Sequence, residues 1–467
     1  MKKYTRVSLK LITFGLWRIS AGLAERVNLD SINCATESII TRDVAVIGGG
    51  SSGTYAAIRL RDIGQSVVVV ERNDRLGGHT HTYTDPVTKG KIDIGVEIWQ
   101  DWDIVRNFFS RFKISLTKNE FAPSAVQYVD YRTGQLVSQY SPGNATDALT
   151  AYATQLAKYP YLEFGFDLPN PVPTDLLLPF GDFVEKYALD DTVPTIFKYA
   201  QGLGNILHQP TLYVMKNFGL VDLKSIQEGF LTTAKHDNSE IYERALAELG
   251  DNALLNTSIV ATKRSITGYS SITVTTPCGR REIRAKKILL AIPPKLDNLD
   301  GFDLDATEKS LFQQFGNSAY YTGVLRYTGI NDNTTVQNIG INTTYHLPVL
   351  PGIYSISPSV IPGLLNVKYG SPTALADVQV QSDIIASVQR LPNRTISVES
   401  PEFAIFASHT PFELTVSSSA IESGFYKRLY AMQGKRSTYY TGAAFHTQDS
   451  SLLWRFTEQL LPLIVEK

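Results

Sequence analysis

The chain has 467 residues, 43% of them hydrophobic and 19% charged, so it carries enough apolar sequence for a large buried core and too much for disorder. Lys and Arg number 44 against 45 Asp and Glu, a formal charge of −1, which excludes a net electrostatic pull toward nucleic acid or an anionic membrane. Two cysteines, Cys34 and Cys278, exclude a disulfide-dense scaffold and a cysteine zinc site, and no apolar run is long enough to cross a bilayer.

Residues 1–24 have the order of a secretory signal peptide. Lys2, Lys3 and Arg6 are basic, residues 7–17 are mostly apolar, and Ala21-Gly22-Leu23-Ala24 offers small residues for cleavage. Lys10 and Arg18 fit that order poorly, and an uncleaved arm is the competing reading. The first reading places the protein in the secretory pathway; the second leaves it cytoplasmic. Residues 25–42 read as a linker. Sequons at Asn144, Asn256, Asn333, Asn342 and Asn393 permit glycosylation without requiring it.

The pattern changes at Asp43. Val44-Ala45-Val46-Ile47 predicts a buried parallel strand. Gly48-Gly49-Gly50-Ser51-Ser52-Gly53 follows, then a helix with apolar Ala56, Ala57, Leu60 and Ile63 that stops at Gly64. Val67–Val70 predicts a second strand, which ends at Glu71. This is one βαβ unit. Gly48 permits the tight turn, Gly50 lets backbone approach a pyrophosphate, and Gly53 lets helix and strand pack closely. The helix N-terminus, with Ser51 and Ser52 in its first turn, faces the phosphates. Glu71 stands where a carboxylate accepts hydrogen bonds from ribose hydroxyls. FAD and NAD share this turn.

The next residues separate the two cofactors. Arg72-Asn73-Asp74-Arg75-Leu76-Gly77-Gly78-His79-Thr80 resembles the second dinucleotide motif of FAD enzymes in the glutathione-reductase and amine-oxidase class. The resemblance implies that Arg72, Gly77, Gly78 and His79 pass the pyrophosphate and ribityl chain, with His79 where family members often carry Arg. Residues 253–294 resemble the strand cluster that such flavoproteins return to the FAD domain, which implies Val260 backbone near adenine. Residues 432–444 resemble the closing strand, with Gly442 against the flavin. A helix from about Ser450, N-capped by Asp449 and with Ser451 in its first turn, would aim its positive end at the flavin C2 carbonyl.

Over about residues 43–465 the chain resembles fungal FAD-dependent oxidoreductases of the β-cyclopiazonate dehydrogenase family, within the flavin amine oxidase-like superfamily. A more distant likeness, carried by Leu178-Pro179-Phe180 and by residues 425–436, is to bacterial polyunsaturated fatty acid isomerase. The implied fold is α/β: a Rossmann-type FAD-binding domain interleaved with an α+β substrate-binding domain. Residues 43–100, 246–300 and 426–467 would form the first domain. The second would take 101–245, mainly helical, and 301–425, mainly strands. FAD is expected without a covalent link, because no cysteine lies near the flavin-contacting segments, and no metal is expected.

The implied reaction is a two-electron oxidation, by desaturation or oxidative cyclisation, of a hydrophobic secondary metabolite such as an alkaloid or terpenoid, with hydride passing to flavin N5. The expected partner is thus a hydrophobic small molecule, with no nucleic acid and no integral membrane segment; the oligomeric state stays open. A double-bond isomerase, an amine oxidase and a catalytically idle flavin-binding protein are the alternatives. Thr322 stands where amine oxidases carry Lys, which speaks against amine oxidation; Ala443 stands where they carry Glu, which leaves a ribityl hydrogen bond unassigned. Trp99 and Trp102 are expected beside the flavin. The sequence does not identify the catalytic side chains: His446, Tyr440 and Trp99 are candidates, His208 and Tyr439 stand behind them, and each has a plain structural role as its alternative.

Overall fold

Four consecutive valines, Val67–Val70, form a fully buried strand, as expected of a parallel strand covered on both faces. Strand Ile39–Ile47 runs parallel beside it, with Val44 opposite Val67 and Ile47 opposite Val70. The computed structural model describes residues 38–120, 124–143, 145–392, 394–395 and 399–466. The expected signal peptide, most of the expected linker and the sequons Asn144 and Asn393 lie outside the described residues. The first strand begins before Asp43. Ile39 to Arg42 pair with Glu282 to Ala285 of the long strand Gly279–Leu290, so the end of the expected linker belongs to the sheet.

That long strand organises a seven-stranded sheet, ordered Ser258–Lys263, Ser270–Thr276, Gly279–Leu290, Ile39–Ile47, Val67–Val70 and Ala253–Leu254. Its first half pairs antiparallel with Ser270–Thr276, and its last three residues pair parallel with Thr438–Tyr440. Three distant stretches of chain therefore share one sheet. Helix Ser51–Asp62 and the terminal helix Ser450–Val465 pack together on it, with Tyr55 stacked on Trp454 at 5.3 Å.

A second seven-stranded sheet is ordered Glu402–Ser408, Ala319–Arg326, Leu365–Ser371, Gly352–Pro358, Thr334–Asn338, Ala125–Asp130 and Gln135–Leu136. Its last two strands come from the stretch read as mainly helical. Ala125–Asp130 buries only its C-terminal end, so its alternation is weak in the sequence. Conversely, helix Asp377–Gln389 covers this sheet from within the stretch read as strands, burying Val380, Ile384 and Val388 at helical spacing. The hairpin strand Lys91–Asp93 leads into Ile94, which packs on Val324 and so ties the glycine-rich end of the first sheet to the second. Among the described residues no helix is long and apolar enough to cross a membrane.

Candidate functional site

The loop after the first strand leaves no room for side chains at Gly48, Gly49 and Gly53. Gly48 has φ 102°, and its N–H donates to Val70 O at 2.8 Å. A Cβ on Gly53 would lie 1.9 Å from Gly48 O, so only glycine lets this helix sit so close to the turn. Gly50 and Gly78 face each other, a Cβ on Gly78 falling 3.0 Å from Gly50 Cα. The two glycine turns are joined by Gly77 N–H to Gly49 O at 2.8 Å. Arg75 fixes the second turn by donating to Thr80 O at 2.7 Å and Gly78 O at 2.9 Å. Glu71 accepts from Gly49 N–H at 2.7 Å and Asn73 N–H at 2.8 Å, which orients its carboxylate at the end of the second strand.

These turns open into a cavity of about 1440 Å³. That exceeds the range usual for one drug-sized ligand and leaves space for a dinucleotide and a second molecule. Gly48, Gly50, Ser52, Glu71, Arg72, Gly77, Gly78 and His79 all line it, and Gly442 lines it from the other end of the chain. Ser52 Oγ is buried with no hydrogen-bond partner among the described residues, at the start of a helix whose N-cap, Gly50, has no side-chain cap. An orphaned hydroxyl beside free N–H groups fits a phosphate. The residues present fit FAD.

Gly53 packs behind the loop against the Gly48 carbonyl and Ala291 and does not line the cavity. Two expected contacts sit elsewhere. The wall near the expected adenine position is made by Thr257, Ser258 and Ile259, whereas the Val260 carbonyl is turned against Gly301. Ser451 is buried and its Oγ accepts from Gln100 N–H at 3.0 Å. Its neighbour Asp449 is the N-cap of the terminal helix, accepting from Leu452 N–H at 2.8 Å, and it lines the cavity. Gln100 bridges Asp449 and Asp222, its Nε2 lying 3.2 Å from each. Burial, with the Asp449 charge adding, pushes Asp222 up to about 7; burial also raises Asp449.

The catalytic candidates are corrected by packing. Trp99 is wholly buried, with its ring against Phe109 at 5.0 Å and Trp454 at 4.8 Å, and it does not reach the cavity. Trp102 lies under the Arg455 guanidinium at 4.4 Å. His446 is buried between Lys216 Nζ, 3.1 Å from Nδ1, and Glu163 O, 3.0 Å from Nε2. The Tyr440 hydroxyl donates to Glu308 at 2.5 Å, beside a buried bidentate Arg264–Glu308 pair at 2.6 and 2.7 Å. Tyr439 donates to Leu463 O at 2.7 Å, and His208 Nδ1 meets Asn205 at 2.9 Å. None of these five histidine, tyrosine or Trp99 side chains lines the large cavity. Each has a structural partner instead.

Different residues line its far end. Tyr320 and Phe412 stand 5.1 Å apart, and His409 lies 5.9 Å from Tyr320 and 5.2 Å from His79. Thr322 Oγ1 is bonded to the Ile94 carbonyl and lies 2.9 Å from His409 Nε2. Burial holds His409 down at about 3, with His79 adding, and holds His79 and His81 down at about 4, with Arg75 adding. These imidazoles are neutral at pH 7. Lys368, directly opposite Thr322 across the sheet, pairs with Glu97 at 3.0 Å on the same cavity wall. His409 follows strand Glu402–Ser408, and its link to Thr322 depends on strand register, which leaves no local signal in the sequence. Among the described residues no group of His, Cys, Asp and Glu is placed to hold a metal ion.

Residues 46–112 match the NAD(P)-binding Rossmann-like domain family. The chain is 42% identical over 448 residues to the FAD-dependent oxidoreductase oblC of Cochliobolus heterostrophus, covering 92% of each. It is 38% identical to the FAD-dependent oxidoreductase dbaF of Emericella nidulans, covering 100% of this chain and 99% of that one. With the beta-cyclopiazonate dehydrogenase of Aspergillus oryzae it shares 35% identity, over 90% of this chain and 92% of the relative. Among solved structures, a fatty acid isomerase from P. acnes superposes with TM-score 0.74 at 19% identity, over 91% of this chain and 99% of that one. A putrescine oxidase superposes with TM-score 0.64 at 16% identity, over 92% and 100%. At such identities these two show a shared fold.

Proposed function

The chain belongs to the family of FAD-dependent oxidoreductases that includes the fungal beta-cyclopiazonate dehydrogenase, and from that premise we propose that it oxidises a hydrophobic secondary metabolite by two electrons. An alkaloid or terpenoid, desaturated or oxidatively cyclised, is the substrate class this reading favours. The observation that carries it is one cavity running from the two glycine turns to an aromatic chamber. FAD, when bound, supplies the two-electron acceptor, with N5 as the hydride-accepting position.

The chain's own residues do the rest. Bare backbone at Gly48, Gly50, Gly77 and Gly78 admits the pyrophosphate, Ser52 Oγ offers it a hydrogen bond, and Glu71 is held ready for ribose hydroxyls. At the far end, Tyr320 and Phe412 give flat apolar surface for a bulky substrate and keep water from it. The Thr322 hydroxyl is tied to the Ile94 carbonyl, so this position offers no cationic group of the kind amine oxidases carry. Neutral imidazoles of low proton affinity make weak bases. Alignment of the substrate, worth several powers of ten in rate, therefore carries most of the catalysis in this reading.

The test is anaerobic mixing of the FAD-loaded protein with hydrophobic alkaloids and terpenoids, alongside metabolite profiling with and without the protein. Lasting flavin bleaching with a product two hydrogens lighter supports the proposal. Product of unchanged mass without net bleaching would make it an isomerase. Rapid bleaching by small primary amines or polyamines alone would overturn the substrate class.

A further inference from the structure

We infer that His409 is the hydrogen-bond acceptor that positions the substrate in the chamber, and that the substrate accordingly presents a flat ring bearing a neutral O–H or N–H. This rests on the functional reading above and narrows its substrate class.

Hydrogen bonding fixes the state of the imidazole. The Ile94 carbonyl oxygen can only accept; it takes the Thr322 hydroxyl hydrogen and lies 3.2 Å from His409 Nε2. Thr322 Oγ1, its hydrogen already committed, can only accept from the same nitrogen, 2.9 Å away. Nε2 therefore carries the proton. In the neutral ring Nδ1 is then a bare lone pair. Nδ1 has no hydrogen-bond partner among the described residues and is not one of the sealed orphan atoms of the interior, while His409 lines the cavity. The backbone holds the ring there, His409 N–H donating to Tyr320 O at 2.8 Å.

The surroundings select the shape and charge of the donor. Tyr320, Phe412 and His79 stand around His409, with ring centroids 5.1 to 5.9 Å apart along the pairs Tyr320–Phe412, His79–Phe412 and Tyr320–His409. Gly95 packs its bare backbone against both histidines: a Cβ there would lie 1.8 Å from His79 O and 3.3 Å from His409 Cε1. These rings pack on one another and line the cavity together, and an aromatic wall favours a flat guest laid against it. The carboxylate on the same wall, Glu97, is spent on Lys368, so the charged pair offers no single anion to draw an ammonium. A neutral donor is what remains.

The probes are phenol and anisole, equal in shape apart from a methyl that replaces the donor hydrogen. Titrated into the FAD-loaded protein and followed by the flavin absorbance, phenol should bind about tenfold tighter, the value of one net hydrogen bond. In His409→Phe that ratio should fall to near one with anisole affinity retained. Equal affinities in the wild type, no phenol binding, or an unchanged ratio in His409→Phe would overturn the inference. A second measurement needs neither FAD nor a stable His409→Phe. In protein labelled with 15N-histidine, the ring signal that moves on Thr322→Val should show a protonated Nε2 and an unprotonated Nδ1; the opposite tautomer would overturn the inference. Protein that holds no FAD would refute the functional reading instead, and the tautomer measurement would still decide this one.

Discussion

The indole N–H of Trp454 donates to Ser51 Oγ at 2.9 Å, joining residues 403 positions apart in the chain. It ties together the two helices whose N-termini open on the cavity, and the Tyr55 hydroxyl repeats the link by donating to Glu458 at 2.7 Å. Trp454→Phe should cost about 1–3 kcal/mol through the lost hydrogen bond and lost volume. Thermal melting of the FAD-loaded protein should show the loss, together with faster flavin release. Unchanged melting and release would mean that the link holds neither helix.

Two glycines of one loop should fail in different ways. Gly50 has φ −69°, and a Cβ there meets only Gly78 Cα at 3.9 Å. Gly50→Val should therefore fold and melt normally while losing FAD, read as a collapse of the 450 nm absorbance. Gly53→Ala drives its methyl into Gly48 O and should lose about 1–3 kcal/mol or more of stability. In the wild type, denaturation should release all the flavin, since the reading requires no covalent bond.

Tyr440→Phe should leave flavin reduction unchanged and cost about 1 kcal/mol, the value of a single hydrogen bond. Glu308→Ala, by contrast, removes both bonds of the buried Arg264–Glu308 pair, leaves the guanidinium to Asp303 alone, and should cost about 3 kcal/mol. Urea denaturation of both variants separates the two. A large drop in reduction rate for folded Tyr440→Phe would restore that residue as a catalytic candidate.

The cavity histidines set a limit in acid. His409 titrates near 3 in the folded chain and near 6.5 when unfolded. Between those values the unfolded state binds more protons, so stability falls as pH falls below about 6.5 and levels off below the folded value. At pH 5 this amounts to about 2 kcal/mol for His409, and His79 and His81 act in the same direction. Urea midpoints of the wild type should drop between pH 7.5 and 5, and His409→Phe should drop less. A parallel fall in both proteins would contradict the assignment.

Local pattern made the cofactor end legible. Gly48, Gly50, Glu71, Gly77 and Gly78 lie within one βαβ unit and its exit, where turn, helix start and strand end follow each other in the sequence. The substrate end has no such locality. Thr322, Lys368 and His409 meet through antiparallel register in the second sheet, and Ile94 arrives from another segment altogether. A tryptophan or histidine near a motif says little about direction: Trp99 turns inward onto Phe109 and Trp454, and His446 turns onto Lys216. Strand Ala125–Asp130 was hidden for a related reason, because it is half exposed and finds its partner, Thr334–Asn338, only across a long separation.

The sheet under the first glycine turn also takes a strand from residues 438–440 and leans on a helix that begins at Ser450. On a ribosome adding about 5–20 residues per second, Trp454 emerges about 20–80 s after Ser51. For nearly all of that interval the nascent βαβ unit has no terminal helix to lean on and no Gly442 to face it. Cofactor capture thus belongs to the finished chain, and a truncation that removes only the last strand and helix should yield a colourless polypeptide despite an intact fingerprint.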